Sequence, residues 1–362
     1  MRNLENKWRG RGLPKGAILA EGDVRADPDA ARALLAACPV AAATPLAEAA
    51  GLAADCGIAR LAIKDERGRM GLGSFKALGA AHAIAKAAFA RLGDDLFATG
   101  AAAAALKGQV YCAATAGNHG LSIAAGARIF GARAVIYIAE TVPEGFAARL
   151  RTKGAEVIRE GADYEASLKA AEAAADLNGW QLLSDTSWPG YTALPLDVME
   201  GYLITAAEAA EQWQGPEPSH IFLQAGVGGL AAAAAVYFRA CWGQAMRIIV
   251  VEPASAPALQ ASIAAGKPVV TSGPVSNMGR LDCKEPSYMA LKALAREADD
   301  FLTLDDGYVA AAIADLGKAG LATSPSGGAG YAGLKYAQAQ GLYGLGGQSR
   351  VLVFLSEGPA DD

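Results

Sequence analysis

Short apolar, β-branched runs alternate with alanine-rich stretches along most of the chain. The runs are Leu61–Lys64, Val110–Ala113, Ala134–Ile138, Glu156–Ile158, Gln181–Leu183, Ile221–Gln224, Ile248–Val251 and Val351–Leu355. Their apolarity is nearly continuous rather than strictly alternating, which predicts strands covered on both faces and therefore mostly parallel. Between them, Ala166–Asp176 and Asp197–Gln212 carry apolar residues at helical spacing. Alternation of the two element types predicts an α/β fold. No long Pro/Ser linker and no repeat of 20–50 residues divides the chain, so two domains would be closely apposed, with any site in the cleft between them. Ala101–Leu106, entered through Thr99-Gly100, reads as a helix or a surface segment.

Composition narrows the class. The 362 residues are 52% hydrophobic and 19% charged, enough to bury a large core and too apolar for disorder. A net charge of −5, with both signs spread along the chain, gives no footprint for nucleic acid. The longest apolar runs are alanine stretches too short to span a bilayer, so no membrane partner is expected. The N-terminal MRNLENKWRGRGLPKG is basic but lacks the apolar stretch of a secretory signal. Five cysteines (Cys38, Cys56, Cys112, Cys241 and Cys283) are an odd number without a CxxC pair. They read as reduced thiols of a cytoplasmic protein. The three histidines, His82, His119 and His220, form no HExxH or Cys/His cluster, so no metal is expected.

Four segments at the carboxyl ends of predicted strands could carry chemistry. In Gly71-Leu72-Gly73-Ser74-Phe75-Lys76, a glycine-rich turn opens an apolar helix, with Ser74 the expected N-cap. Lys76 then lies in the first helical turn, where the helix dipole disfavours an ammonium. That suits a lysine that must lose its proton to form a Schiff base; the alternative is a solvated lysine at a helix end. Thr115-Ala116-Gly117-Asn118-His119-Gly120 closes a strand and opens a helix, offering bare N–H groups to a carboxylate. An ordinary capping turn would look the same. Gln224-Ala225-Gly226-Val227-Gly228-Gly229-Leu230 again joins a strand to a helix, and its glycines admit close approach of phosphate oxygens. It is not G-x-G-x-x-G, so a monophosphate cofactor suits it better than a dinucleotide. Finally, Ser356, in Leu355-Ser356-Glu357-Gly358, would point a hydroxyl into the ligand crevice, or would be a plain turn serine.

With these residues in view, the chain resembles the fold type II pyridoxal-phosphate enzymes, those of the tryptophan-synthase-β type. S-F-K, A-G-N-H, G-V-G-G-L and a C-terminal S-E-G stand in that family's order and approximate spacing. Within the family the chain is most similar to the diaminopropionate ammonia-lyases, from about Ala42 to the C-terminus. The specific matches are Asp185-Thr186-Ser187-Trp188 and the stretch Gly190–Tyr202; Lys64-Asp65-Glu66, Val251-Glu252-Pro253 and Leu281-Asp282-Cys283-Lys284-Glu285-Pro286 support them.

The resemblance implies pyridoxal 5′-phosphate held covalently by Lys76, with Phe75 beside its ring. It places the phosphate on Gly226, Val227, Gly228, Gly229 and Leu230, the ring hydroxyl at Asn118 and the pyridine nitrogen at Ser356. The substrate carboxylate would lie on Thr115, Ala116, Gly117, Asn118 and His119, and a second substrate amine at Asp185. Freed by the substrate's amine, Lys76 would remove the Cα proton, the β-substituent would leave, and aminoacrylate would hydrolyse to a 2-oxo acid and ammonia. Residues 1–70 and 186–362 would form the large cofactor-binding domain and 71–185 the small one, in a cytoplasmic homodimer.

Three departures bear on the substrate. Ala116 stands where relatives that use both enantiomers carry an acid/base residue, and a methyl group cannot serve. Arg280 replaces a usually small residue, and an added guanidinium would favour an anionic side group. Thr323-Ser324-Pro325-Ser326-Gly327-Gly328 replaces a more acidic segment. The activity expected is α,β-elimination of an L-amino acid, first 2,3-diaminopropionate, to pyruvate and ammonia. A serine/threonine-type dehydratase, a β-replacement synthase and a non-catalytic binding protein of the same fold are the alternatives.

Overall fold

The computed structural model describes every residue except 19, 39, 99, 116 and 360–362. Ala116 therefore lies outside the described residues. Eleven strands are described: β1 (Arg2–Glu5), β2 (Leu46–Glu48), β3 (Arg60–Asp65), β4 (Val110–Ala114), β5 (Arg133–Ile138), β6 (Ala155–Arg159), β7 (Gln181–Leu182), β8 (His220–Gln224), β9 (Arg247–Pro253), β10 (Asp300–Leu304) and β11 (Arg350–Leu355). They make two sheets. The larger runs β1-β10-β9-β8-β11-β3-β2 and the smaller β6-β5-β4-β7. All pairings are parallel except the two outer ones of the larger sheet, β1 with β10 and β2 with β3.

Every predicted run falls in one of these strands except that Leu183 lies one residue past β7, and the two predicted helices lie inside the helices Tyr164–Asn178 and Ala193–Gln212. Strands β1, β2 and β10 were not expected. β1 and β2 are short edges with few buried side chains, so they lack an apolar run. β10 is wholly buried, but it opens on Asp300, whose carboxylate is held by Arg247 at 2.6 and 3.1 Å, and Thr303 interrupts its apolar residues. Of the alanine stretch, only Ala102–Ala104 forms a single 3-10 turn.

Alanine does specific packing work here. Ala231–Ala235 of the helix Gly229–Trp242 are fully buried. Small side chains let that helix lie close against its neighbours. The helix Lys76–Leu92 packs in the same way on Ala193–Gln212 and on Asn118–Ile129.

Beneath the turn that leads into Lys76 lies a buried charge network. Arg69 donates to Glu66 at 2.7 Å and to Glu208 at 2.6 Å, and Lys64 donates to Glu208 at 2.7 Å and to the Thr44 carbonyl at 2.6 Å. Lys64, Glu66 and Arg69 have fully buried side chains. Two cations balance two anions, and removing one partner of such a pair costs about 3–5 kcal/mol. The network fixes β3 and the segment after it against the long helix Ala193–Gln212.

Candidate active site

Main-chain pairing brings the first and fourth motifs together. The Phe75 N–H donates to the Ser356 carbonyl at 3.0 Å, the Gly358 N–H donates to the Gly73 carbonyl at 3.0 Å, and Ser74 faces Glu357 as an antiparallel bridge. The helix begins at Lys76 with no side-chain cap; the buried Ser74 hydroxyl makes no hydrogen bond to the described residues, so Ser74 is not the N-cap its position suggested.

Lys76 Nζ donates to the Asp185 carboxylate, and each side chain is only 22% exposed. Nζ also stands 5.3 Å from the Phe75 ring centroid and 5.6 Å from that of Tyr202. Burial works against the Lys76 ammonium, but the adjacent Asp185 carboxylate outweighs it and raises its pKa above the usual lysine range. Burial likewise opposes the Asp185 anion, and Lys76 followed by His119 holds its carboxyl below the usual range. The position on the helix dipole alone argued for a neutral amine. The carboxylate, 109 residues away in sequence, reverses that balance.

Asp185 follows β7 in a loop that is tied down at several points. The Tyr191 hydroxyl donates to the Leu182 carbonyl and accepts from the Ser184 N–H, both at 3.0 Å, and the Tyr191 ring stacks on Trp188 at 4.3 Å. Ser187 Oγ accepts from the Met289 N–H at 2.9 Å and pairs with Ser287 Oγ at 2.8 Å. A carboxylate on a loop braced in this way is preorganised for a cation.

The glycine loop follows β8. Gly228 has φ +103°, a conformation that other residues rarely adopt, and the helix starts at Gly229. A Cβ on Gly226 would sit 2.9 Å from Cys283 Sγ and 3.1 Å from the Arg280 carbonyl. The first N–H groups of this helix have no intrahelical acceptor, which is the setting in which backbone binds phosphate. Tyr202 links the loop to Lys76: its ring meets Phe75 edge-on at 4.8 Å, and a Cβ on Gly229 would lie 3.5 Å from it. Its buried hydroxyl has no hydrogen-bond partner among the described residues, and burial pushes its pKa up to about 12.

The Ser356 hydroxyl accepts from Gln224 Nε2 at 3.1 Å, which leaves its own proton free to donate. Asn118 begins its helix and donates through Nδ2 to Glu357 Oε2 at 2.6 Å. The Ser324 hydroxyl donates to the other Glu357 oxygen. Thr115 Oγ1 accepts from the Gly117 N–H at 3.1 Å. His119 is buried, donates through Nε2 to the Leu183 carbonyl at 2.8 Å and leaves Nδ1 without a partner. Burial lowers its pKa, so the ring is neutral at pH 7.

Tyr202, Tyr191, Glu357 and Cys283 were not among the expected site residues, although each lies inside a quoted motif. Their roles depend on which distant segment each one meets, and sequence spacing carries no signal for that.

A glycine cradle with no room for a side chain, a hydroxyl with a free proton and a half-enclosed lysine suit a phosphorylated pyridine aldehyde. Residues 38–357 match the pyridoxal-phosphate dependent enzyme family. The chain belongs to that family. It is 34% identical to the diaminopropionate ammonia-lyase of Salmonella typhimurium over 263 residues, 69% of this chain and 65% of that protein. The crystal structure of the Escherichia coli diaminopropionate ammonia-lyase in complex with D-serine superposes with a TM-score of 0.88 at 28% identity, covering 99% of this chain and 93% of that one. The same enzyme in complex with an aminoacrylate-PLP azomethine reaction intermediate superposes at 0.86, also at 28% identity and with the same coverage. Like these relatives, the chain is a two-sheet α/β protein of fold type II. Among the described residues no helix is long and apolar enough to cross a membrane.

Proposed function

We propose that this enzyme is an ammonia-lyase that eliminates the β-substituent of an L-amino acid, with 2,3-diaminopropionate as the first substrate and pyruvate and ammonia as products. The observation that carries the reading is the Lys76–Asp185 ion pair, with Phe75 hydrogen-bonded to the Ser356 carbonyl and Tyr202 lying between Phe75 and Gly229 of the glycine loop. Lys76 anchors the cofactor, Phe75 lies beside its ring, Gly226 to Leu230 take the phosphate, Asn118 takes the ring hydroxyl and Ser356 donates to the pyridine nitrogen. Bound there, pyridoxal 5′-phosphate supplies the electron sink for loss of the Cα proton.

The protein's own residues do the rest. While Lys76 is committed to the cofactor, Asp185 lacks its cation, and a substrate β-ammonium takes that place. Asp185 then no longer holds a proton on Lys76 Nζ, so the released amine can accept the one at Cα. A diamine thereby activates its own base. A β-hydroxyl carries no charge for Asp185, which is why the diamine is preferred over serine as substrate. Asn118 and His119, with their neighbours Thr115 to Gly117, hold the substrate carboxylate.

The domain division is part of this reading: residues 1–70 with 186–362 form the large domain and 71–185 the small one. Its support is that β4–β7 build one sheet and the remaining strands the other. A cytoplasmic homodimer is likewise proposed, on the family resemblance and on five cysteines that are all unpaired.

Lys76→Ala tests the assignment. Purified wild type should show a visible cofactor band and a borohydride-reducible lysine adduct, and should release two ammonia per pyruvate from 2,3-diaminopropionate. The variant should lose the adduct and turnover while keeping the far-UV circular dichroism of wild type. A reducible adduct in the variant places the anchor elsewhere; one ammonia per 2-oxo acid, obtained only from hydroxy amino acids, makes the enzyme a dehydratase.

A further inference from the structure

We propose that the Arg280 guanidinium supplies half of the site for the substrate's α-carboxylate, from the wall opposite the segment that opens the Asn118–Ile129 helix. The inference rests on the lyase reading for the identity of the substrate and on the following geometry for the residue.

The segment ahead of that helix has fewer free donors than its sequence promises. The Gly117 N–H is bonded to Thr115 Oγ1 at 3.1 Å, and Asn118 Nδ2 is bonded to Glu357 at 2.6 Å. Arg280 reaches the same place from the segment whose main chain packs against Gly226 of the glycine loop. A Cβ on Gly117 would lie 3.5 Å from Arg280 Cδ and 3.8 Å from its Nε. The arm is held at its base: its backbone N–H donates to Ser326 Oγ at 3.1 Å, its carbonyl packs against Gly226, and its Nε stands 3.6 Å from Glu357 Oε2. Its two terminal nitrogens hydrogen-bond to none of the described residues, and the side chain is 41% exposed. An oriented guanidinium with a free fork, over a helix N-terminus, is built for a carboxylate, which can accept both ends of the fork and backbone N–H groups together.

The charge pattern points to the α-carboxylate rather than to a second acid. Asp185 is free for a cation once Lys76 is engaged elsewhere, and Arg280, beyond its Nε contact with Glu357, presents its terminal nitrogens beside Gly117. A substrate with one carboxylate and one extra ammonium matches both. A dicarboxylate would leave Asp185 unpaired or opposed by a like charge.

The test compares wild-type, Arg280→Gln and Arg280→Lys holoenzymes. L-Alanine, which has no β leaving group, and L-alaninamide, which has no carboxylate, are titrated by calorimetry. L-2,3-Diaminopropionate is followed by steady-state kinetics. Loss of a charge-assisted fork should weaken L-alanine binding by about tenfold or more in Arg280→Gln. L-Alaninamide should bind all three proteins equally. KM for 2,3-diaminopropionate should rise as L-alanine affinity falls, with kcat nearly constant, and Arg280→Lys should recover part of the loss. Unchanged L-alanine affinity, or equal losses for acid and amide, overturns the assignment. So does L-aspartate binding that alone depends on Arg280, since the residue would then read a second acid. If wild type eliminates no β-substituent while L-alanine still needs Arg280, the lyase reading fails and the carboxylate assignment stands.

Discussion

Replacing Asp185 with Asn separates the two charges that the site sets against each other. The change is nearly isosteric, and the braces on the loop from Tyr191 and Ser187 do not involve the carboxylate. Two effects follow. The substrate β-ammonium loses a partly buried, charge-assisted partner, a contribution of about 1.5–3 kcal/mol. At 1.4 kcal/mol per decade this lowers kcat/KM for 2,3-diaminopropionate by roughly ten- to a hundredfold. Lys76 loses the charge that most raises its pKa, so its amine deprotonates at lower pH. That second effect falls on substrates without a β-ammonium, which leave Asp185 facing Lys76, and it favours their turnover, because a base is active above its pKa. L-Serine elimination should therefore hold steady or rise, with its acidic limb displaced to lower pH, while diaminopropionate elimination falls. The assay is a pair of pH–kcat/KM profiles, reading pyruvate for both substrates. Equal losses on the two substrates refute amine recognition by Asp185.

Gly228→Asp should release cofactor. It forces φ +103° on a residue with a side chain, whose Cβ would meet Ala290 at 3.1 Å and Leu259 at 3.2 Å, so the glycine loop must shift; unchanged cofactor retention on gel filtration would move the phosphate elsewhere. The wild-type enzyme should use L-substrates only and racemise none, because position 116, where the family resemblance puts the acid/base of relatives that use both enantiomers, is here an alanine, whose methyl group cannot accept a proton. Ala116→Asp should introduce measurable elimination from D-substrates, and equal D and L rates in wild type would require a base from another residue.

Strands and helices were legible because their signals are local. A buried parallel strand must be apolar on both faces, and a covered helix must repeat its apolar residues every three or four positions, so each pattern is written in a few consecutive letters. The same holds for the glycine loop and for a lysine at the start of a helix, which local chemistry and family resemblance together made recognisable. What the pattern could not show were elements defined by a partner. β1 is a strand because β10 lies beside it, and Asp300 is tolerated in a buried strand because Arg247 neutralises it.

Protonation belongs to the same class. From its helical position Lys76 should shed its proton; only the fold, by setting Asp185 against it across 109 residues, makes the ammonium the stable form before cofactor binds. Asn118 and Glu357 meet across 239 residues, and through Glu357 they share a partner with Arg280. Coulomb energy falls with distance in space and rises as water is excluded, and neither quantity can be read from spacing along the chain. The sequence by itself therefore determined the elements and which residues could do chemistry. Only the tertiary structure decided which charges face one another, and so which proton moves and which end of a substrate each wall of the cleft holds.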